Sequence, residues 1–372
     1  MSRINWERIH NTTAFTALTP LLALLSFFYG LGVRFRLLAY KRAKRRSLPG
    51  FVVSIGNLTV GGTGKTPAAC MLAEWARGEG YAVAILSRGY GGQYKTEVLE
   101  VSDGDHIHAG QADTGDEPYL MAKRLRGVPV VLSKKRYQAG LRAHKRFGTN
   151  FYILDDGFQH RALKRDLDLL LIDASDPFGN GHLLPWGPLR EPVGQLKRTD
   201  AFIITRTGYG ASINDLKVFL KNTFPDKPLF TSDHIPEGIV FPYGGKSYSP
   251  EFLRGKRVIA FAGIARPESF RKTLINLGAE VCLFKAFDDH HKFYADEIQD
   301  LISKKKGLGA DYLVTTEKDW VRMENLNTHF PDLAYLTVRF ELQSEGEAFF
   351  RMIKNRLERD RKPDMPTRGT WM

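Results

Sequence analysis

The residues with the clearest chemical potential lie in a glycine-rich turn over positions 61–66, which ends in Gly64, Lys65 and Thr66. In a phosphate-binding loop, glycines let backbone N–H groups close around phosphate oxygens, a lysine reaches the β- and γ-phosphates, and a hydroxyl side chain meets Mg²⁺. An apolar run precedes this turn and a helical pattern follows it, and such a loop requires both elements. The turn therefore predicts a nucleotide ligand.

One residue departs from the general loop pattern, because Thr59 stands where the first glycine is expected. The string from Val60 to Thr66 is similar instead to the variant loops of partitioning ATPases, with Val60 in place of their first lysine. The alternative interpretation is a glycine-rich turn that binds nothing, which the flanking strand and helix patterns disfavour. The predicted nucleotide-binding residues are Thr59, Val60, Gly61, Gly62, Thr63, Gly64, Lys65 and Thr66.

Two adjacent acids, Asp155 and Asp156, follow the apolar run at residues 151–154. An acid at the end of a strand is typical of a Walker B element, which helps to hold Mg²⁺ near the phosphates. Two neighbouring acids could divide their work between the metal and another group. The alternative is a solvated turn before Gly157, which is less favoured beside a phosphate loop.

Three further places carry residues with possible chemistry. Asp116 and Glu117 begin a helical pattern, where acids often act only as caps. Asp289 precedes adjacent histidines at 290 and 291. Because no third ligand cluster is visible, a proton-handling role is favoured over a zinc site, and a surface histidine without such a role is an equal alternative. Arg190 lies in a proline-flanked loop and suits bidentate contact with phosphate, although most loop arginines are merely solvated.

The elements that must position these residues form an alternating pattern from residue 50 onward. Helices are predicted after Lys65, Glu117 and Lys135. Strands are predicted at residues 51–55, 82–86, 129–132, 151–154, 167–172 and 201–205. Apolar strands between helices predict an α/β fold of the P-loop NTPase type, with a mostly parallel sheet covered on both faces. Ligands of such sheets bind beyond the carboxyl ends of the strands, where the turn at 61–66 and the two strand-end acids fall.

A change of composition near residue 225 predicts a second, smaller α/β unit. Its strands are expected at residues 258–261, 281–284 and 312–315. The predicted organisation is an N-terminal membrane-associated segment (1–46), a P-loop domain (47–225), a linker (226–250), a C-terminal α/β domain (251–357) and a disordered tail (358–372).

The N-terminal segment combines an apolar stretch with a basic cluster. Residues 14–33 form 20 positions without a charge, about the length that spans a bilayer, and seven basic residues follow between positions 34 and 46. This order suits an anionic cytoplasmic membrane surface, whether the helix spans the bilayer or lies in its plane, and a buried core helix is the alternative. The net charge of +13 also favours an anionic partner, and no zinc finger or RNP-type string points to nucleic acid.

Together, these motifs closely resemble the tetraacyldisaccharide 4'-kinase family of lipid A biosynthesis. The shared strings cover residues 55–67, 86–91, 115–118, 155–160, 187–191, 262–267, 289–290 and 315–319. Even Thr59 agrees with the family's own version of the loop. The resemblance implies transfer of the γ-phosphate of ATP, with Mg²⁺, to the 4'-hydroxyl of a tetraacylated glucosamine disaccharide 1-phosphate. The product would be lipid IVA, made at the cytoplasmic face of the inner membrane of Gram-negative bacteria.

The resemblance also implies roles for individual residues. Asp116 would be the base that takes the hydroxyl proton, assisted by His290 from the second domain, while Lys65 holds the β- and γ-phosphates. The remaining residues implied at the site are Thr66, Glu117 and Asp155 for the metal, Asp156 beside them as a catalytic residue, and Gln159, Arg136 and Arg190 for phosphate or sugar contacts. The residues alone do not decide which of Asp116, Asp155 and Asp156 is the base, and His291 leaves the partner histidine open.

Two rival functions make different predictions. A membrane-associated partitioning ATPase switch would dimerise with nucleotide and carry a lysine at position 60, where this chain has Val60. A small-metabolite kinase would not need residues 14–46. We expect a monomer that meets an amphiphilic lipid A precursor at an anionic membrane surface, without nucleic acid.

Overall fold

A computed structural model describes residues 18–209, 213–326 and 329–359 of the chain. The elements up to residue 209 are α1 (Thr19–Arg42), β1 (Phe51–Gly56), α2 (Lys65–Gly78), β2 (Val83–Ser87), β3 (Leu99–Ser102), α3 (Gln111–Thr114), α4 (Asp116–Arg124), β4 (Val130–Leu132), α5 (Arg136–Phe147), β5 (Phe151–Asp155), β6 (Leu167–Asp173), β7 (Ala201–Thr205) and 3₁₀ turns at Val193–Arg198 and Thr207–Tyr209. We call residues 47–209 the first unit.

The later elements include a second α/β unit, which we define as residues 250–326. They are α6 (Ile213–Thr223), β8 (Leu229–Phe241), β9 (Lys246–Tyr248), a 3₁₀ turn (Pro250–Leu253), β10 (Arg257–Ala262), α7 (Pro267–Asn276), β11 (Glu280–Ala286), α8 (Ala295–Leu308), β12 (Tyr312–Thr316), α9 (Glu317–Met323), β13 (Leu333–Leu342) and α10 (Gly346–Arg359). Each strand predicted from the sequence has a counterpart here, within one or two residues at its ends.

One continuous sheet runs through both units, in the order β11-β10-β12-β13-β8-β7-β6-β1-β5-β2-β4-β3, with β9 beside β8. The pairs β13/β8, β3/β4 and β8/β9 are antiparallel, and the other pairs are parallel. Strands β1, β5 and β6 are buried at every position, because helices cover both faces of the sheet. The predicted α/β fold with a mostly parallel sheet is confirmed.

The segment predicted as a linker, 226–250, is not an irregular connection. It holds the 13-residue strand β8, which pairs in parallel with β7 and antiparallel with β13. The sequence disguises this strand because Pro236 and Gly238 interrupt it, and both lie at a register shift in the β8/β13 pair. A proline in a strand is tolerated at such a bulge, where no ladder hydrogen bond is lost. The division into two domains stays a prediction.

Helix α1 lies with one face against the first unit. The Ser26 hydroxyl donates to the carbonyl of Leu183 (2.9 Å), and the Tyr29 hydroxyl donates to that of Arg190 (3.1 Å). The opposite face exposes the large apolar side chains of Leu21, Leu24, Phe27, Phe28, Leu31, Phe35 and Leu38. By length and composition this helix could cross a membrane. Residues 14–17 of the predicted apolar segment and residues 360–372 of the predicted tail lie outside the described residues.

Candidate functional site

The phosphate-loop sequence connects the buried end of β1 to the start of α2. Gly64 has φ +87°, and a Cβ there would lie 2.6 Å from His234 Nε2, so the backbone turn and the close packing both favour glycine. The Lys65 ammonium donates to Asn57 Oδ1 (3.2 Å) and lies 3.6 Å from Asp156 Oδ1. Thr63 Oγ1 is buried and has no hydrogen-bond partner among the described residues. The loop therefore presents a lysine and a polar atom suited to an anionic ligand.

The first two predicted loop residues have contacts within the protein. Val60 N donates to the carbonyl of Pro188 (2.8 Å), and Thr59 forms an antiparallel bridge with Leu189. Asn57 Nδ2 also donates to Thr59 Oγ1 (3.4 Å). These contacts tie the loop to the segment that carries Arg190, and a direct nucleotide contact from either residue stays a prediction.

The two strand-end acids lie in different environments. The Ser87 hydroxyl donates to Asp155 Oδ2 (3.0 Å), whereas the buried Oδ1 accepts no hydrogen bond from any described residue. Burial, with the nearby charges of Glu117 and Asp156, raises the pKa of Asp155 to about 7. Burial also opposes ionisation of Asp156, but Lys65 and Arg190 outweigh it and bring the pKa of Asp156 to about 2. Arg190 donates to Asp156 Oδ2 at 2.7 Å.

These acids fit the demands of a magnesium ion. Within the described ranges, no three His, Cys, Asp or Glu side chains gather into a preformed metal cluster. Mg²⁺ is commonly held by one or two carboxylates, with water and substrate phosphates as the other ligands. The unpartnered oxygen of Asp155 suits such an ion, with Thr66 and Glu117 as the other candidates. Burial raises the pKa of Glu117, but Lys318, which donates to it at 3.1 Å, and Lys65 bring it below its usual value.

The predicted Asp–His pair comes together although 174 residues separate its members. Asp116 begins α4 and is 8% exposed, and its Oδ2 lies 3.0 Å from His290 Nδ1 of the second unit. Gly115 precedes it with φ +81°, and a Cβ there would lie 2.2 Å from the carbonyl of Tyr90, so glycine lets the chain enter the helix. His291 instead lies 2.9 Å from Glu297, so the structure brings His290 and not His291 to Asp116, and the role of His290 stays a prediction.

Sequence reasoning missed Arg322, whose side chain is 4% exposed. Its Nε donates to Asp116 Oδ2 (2.6 Å), and its Nη1 donates to the carbonyl of Gly263 (2.6 Å) and to Asp319 Oδ1 (2.8 Å). Burial raises the pKa of Asp116, but the His290 hydrogen bond, the Arg322 charge and a hydrogen bond from Gln111 together hold it well below its usual range. The one signal in the sequence was the spacing of Asp319 and Arg322, three residues apart in a helical pattern, which predicts an ion pair between them.

The three predicted substrate contacts line the same cavity, which has a volume of about 920 Å³. Arg136 is 4% exposed, and its Nε has no hydrogen-bond partner in the part of the chain that the structure describes. Gln159 donates to the carbonyl of Asn57 (2.8 Å), while its Oε1 accepts no hydrogen bond from a described residue. Arg190 pairs with Asp156, as given above. The cavity also holds His160, whose pKa burial lowers to about 4, and this residue was not singled out from the sequence.

The second unit contacts the end of β6 and the phosphate loop as well as Asp116. Arg266 Nε lies 3.2 Å from Asp173 Oδ2, and its Nη1 donates to the Ser175 hydroxyl (2.7 Å). Ala265 lies 3.8 Å from the place of a Cβ on Gly62. The phosphate loop, the two strand-end acids and the Asp116–His290 pair therefore all line one cavity.

A phosphate-binding loop, strand-end acids and an Asp–His pair in one cavity define the class of P-loop phosphotransferases. The sequence profile of the LpxK family, tetraacyldisaccharide-1-P 4'-kinase, matches residues 18–358. Tetraacyldisaccharide 4'-kinases of Syntrophus aciditrophicus and Desulfatibacillum aliphaticivorans are each 40% identical to the chain, over 87% and 91% of its length and 90% and 92% of theirs. The chain belongs to the tetraacyldisaccharide 4'-kinase family.

A solved structure agrees with this assignment. The chain is similar to the "apo" form of LpxK from Aquifex aeolicus in complex with ATP, with a TM-score of 0.71 and 33% identity, over 91% of this chain and 99% of that one. The family assignment expected from the sequence is confirmed. These matches do not favour the alternative of a partitioning ATPase switch.

Proposed function

We propose that the protein transfers the γ-phosphate of ATP to the 4'-hydroxyl of a tetraacylated glucosamine disaccharide 1-phosphate, which gives lipid IVA. The observation that carries this proposal is the contact between Asp116 and His290 in the cavity that also contains the phosphate loop. Family membership supplies the identity of the acceptor. The geometry supports a reaction in which donor and acceptor meet between the two units.

The donor side positions the triphosphate. Backbone N–H groups of the loop would donate hydrogen bonds to the phosphate oxygens and the Lys65 ammonium would offset their negative charge, while Arg190 and Arg136 add positive charge near the acids. Thr66, Asp155 and Glu117 would hold Mg²⁺, which supplies charge stabilisation on the phosphate oxygens when bound. Because phosphoryl transfer depends mainly on positioning and electrostatics, these groups supply much of the catalysis.

The acceptor side orients the hydroxyl and receives its proton. Asp116 is ionised at neutral pH, because His290, Arg322 and Gln111 hold its pKa low, so its carboxylate can accept a hydrogen bond from the 4'-hydroxyl. Since the carboxylate can only accept, His290 Nδ1 carries the proton in the pair. Asp156 is tied to Arg190 and Lys65, and we assign it a role in holding those cations rather than the role of base.

The position of α1 supports access to a membrane-bound substrate. Tyr29, Arg36 and Tyr40 of this helix line the cavity, while its opposite face exposes apolar side chains. An amphiphile could therefore place its sugar phosphate in the cavity while its acyl chains stay beside α1. With the basic residues between 34 and 46, this arrangement supports a location at the cytoplasmic face of the inner membrane, on an anionic surface.

Mass spectrometry of the acylated disaccharide 1-phosphate after incubation with ATP, Mg²⁺ and the protein tests the proposal. We expect a product with one added phosphate on the 4' position, and none with Lys65→Ala. Phosphorylation of a soluble sugar without phosphorylation of the lipid would overturn the proposed acceptor. ATP-driven dimers in sedimentation, with no phosphorylated product, would overturn the kinase function itself.

A further inference from the structure

The contacts of Arg322 connect the second unit to the carboxylate of the first. Its Nε donates to Asp116 Oδ2, the same oxygen that faces His290 Nδ1. Its Nη2 lies 3.3 Å from that His290 nitrogen. The guanidinium therefore bonds Asp116 and packs against the His290 ring, and the second contact is not a hydrogen bond because Nδ1 carries the proton in the pair on which the proposed function rests.

The other side of Arg322 is anchored by a buried carboxylate. Asp319 is 0% exposed, and its Oδ1 accepts from Arg322 while its Oδ2 accepts from the Gly263 N–H (3.1 Å) and the Thr316 hydroxyl (2.7 Å). Gly263 in turn accepts from Arg322 through its carbonyl. A planar guanidinium, whose donors point in fixed directions, can bond Asp116, Asp319 and the Gly263 carbonyl at the same time. Arg322 thus has one geometry, set by the second unit.

We propose that Arg322 is a positioning residue for phosphoryl transfer, which fixes the Asp116 carboxylate and the His290 ring relative to each other when the second unit packs on α4. This inference rests on the proposed function and adds a residue to it. Misplacement of a reacting group by about 1 Å can cost on the order of 100-fold in rate. The expected role is therefore in turnover rather than in binding of ATP.

A neighbouring ion pair offers a matched control. Arg124 of α4 bonds Glu317 of α9 through two nitrogens, so it joins the same two helices as the Asp116–Arg322 pair. Both arginines are largely buried, with 18% and 4% of their side chains exposed. No described contact joins Arg124 to Asp116 or His290. A role of Arg322 that is only structural would be shared by Arg124.

The test is a double-mutant cycle in the lipid phosphorylation assay, with Arg322→Gln, Asp116→Asn and the double variant. We expect Arg322→Gln to lower kcat about 100-fold with the KM for ATP unchanged within about twofold. In the Asp116→Asn background, Arg322→Gln should lower kcat by less than about threefold, because the carboxylate that Arg322 positions is already absent. Arg124→Gln should lower the melting temperature but leave kcat within about threefold.

Equal losses of kcat in Arg322→Gln and Arg124→Gln, or an undiminished effect of Arg322→Gln beside Asp116→Asn, would overturn the inference. If Arg322→Gln does not fold, Arg322→Lys serves instead. A lysine keeps the charge but cannot span Asp116, Asp319 and the Gly263 carbonyl, so we expect a kcat between those of wild type and Asp116→Asn, and wild-type kcat would contradict us. Failure of the wild type to phosphorylate the lipid would instead count against the proposed function.

Discussion

Two carboxylates that line the same cavity, Asp155 and Asp116, differ in how many of their oxygens accept hydrogen bonds from the protein. Asp155 has a buried oxygen that no described residue donates to, and its pKa is raised to about 7. Both oxygens of Asp116 accept hydrogen bonds, and its pKa lies well below the usual range. We therefore expect a ligand to complete the hydrogen bonding of Asp155, whereas the protein itself already completes that of Asp116.

The two sides also differ in how the chain builds them. Asp155 and Asp156 lie at the end of β5, and Lys65 begins α2 after the loop that follows β1, the parallel neighbour of β5. Asp116 depends on two residues of the second unit, which lie 174 and 206 positions further along the chain. Closure between the units should thus matter more for the acceptor side than for ATP binding, and the following variants test this difference.

The largest effect is expected for Asp116→Asn, which removes the charge but keeps the shape. We expect kcat to fall by a factor of roughly 10² to 10⁴, as for loss of a general base. Steady-state phosphorylation of the lipid measures this, with Asp113→Asn, an exposed position on α3, as the control. Near-normal turnover in Asp116→Asn would move the role of base to Asp155 or Asp156.

A smaller loss, about 100-fold at limiting Mg²⁺, is expected for Asp155→Asn. The amide cannot neutralise a cation, so the variant should need more Mg²⁺ for half-maximal turnover and should recover part of its activity as Mg²⁺ rises. Titration of Mg²⁺ at fixed ATP gives the measurement. An unchanged Mg²⁺ requirement would mean that the unpartnered oxygen of Asp155 is not a metal ligand.

If the exposed apolar face of α1 contacts a membrane as proposed, changes on it should affect access to the acceptor and leave ATP binding unchanged. Phe27 and Phe28 are 59% and 58% exposed, and burial of an aromatic side chain contributes about 1.5–3 kcal/mol. We expect Phe27→Ser with Phe28→Ser to weaken binding to anionic vesicles at least tenfold in co-sedimentation, without a change in ATP affinity. Val218→Ser, at a 57% exposed position on α6, is the control. Unchanged vesicle binding would remove α1 from the membrane contact.

The smallest effect concerns His234, which packs behind the phosphate loop at Gly64. Burial, helped by the charge of Arg206, lowers the pKa of His234 to about 4. The neutral ring therefore contributes stability that is present above about pH 6.5 and is lost as pH falls toward 4. By pH 5 the loss should reach about 1–2 kcal/mol. His234→Gln should flatten the fall in melting temperature between pH 7 and 5, whereas His106→Gln, 80% exposed, should not. A parallel fall in all three proteins would contradict this assignment.

The parts of the fold that the sequence predicted are those with local signals. The strands of the first unit read as apolar runs because both faces of the sheet are covered, and the loop at Lys65 is contiguous. Strand β8 was read as a linker because its proline and glycine mark a bulge, and β13 and β3 were not identified. Those strands depend on antiparallel partners, which local composition does not reveal.

The site divides in the same way. Asp155, Asp156 and Lys65 could be placed from spacing alone, since an acid at a strand end and a lysine in a glycine-rich loop have a known geometry. Asp116 and His290 were identified through the family resemblance. Arg322 was missed because a lone arginine on a helix has no motif, and its partner Asp116 lies 206 residues away.

If separate parts of the chain bind ATP and activate the acceptor, Asp116→Asn should bind ATP normally, and calorimetric titration of ATP and Mg²⁺ into this variant measures that affinity. We predict a dissociation constant within about threefold of wild type in a protein whose turnover has fallen by a factor of 10² or more. A loss of ATP affinity in proportion to the loss of turnover would show that Asp116 contributes to ATP binding as well as to acceptor activation.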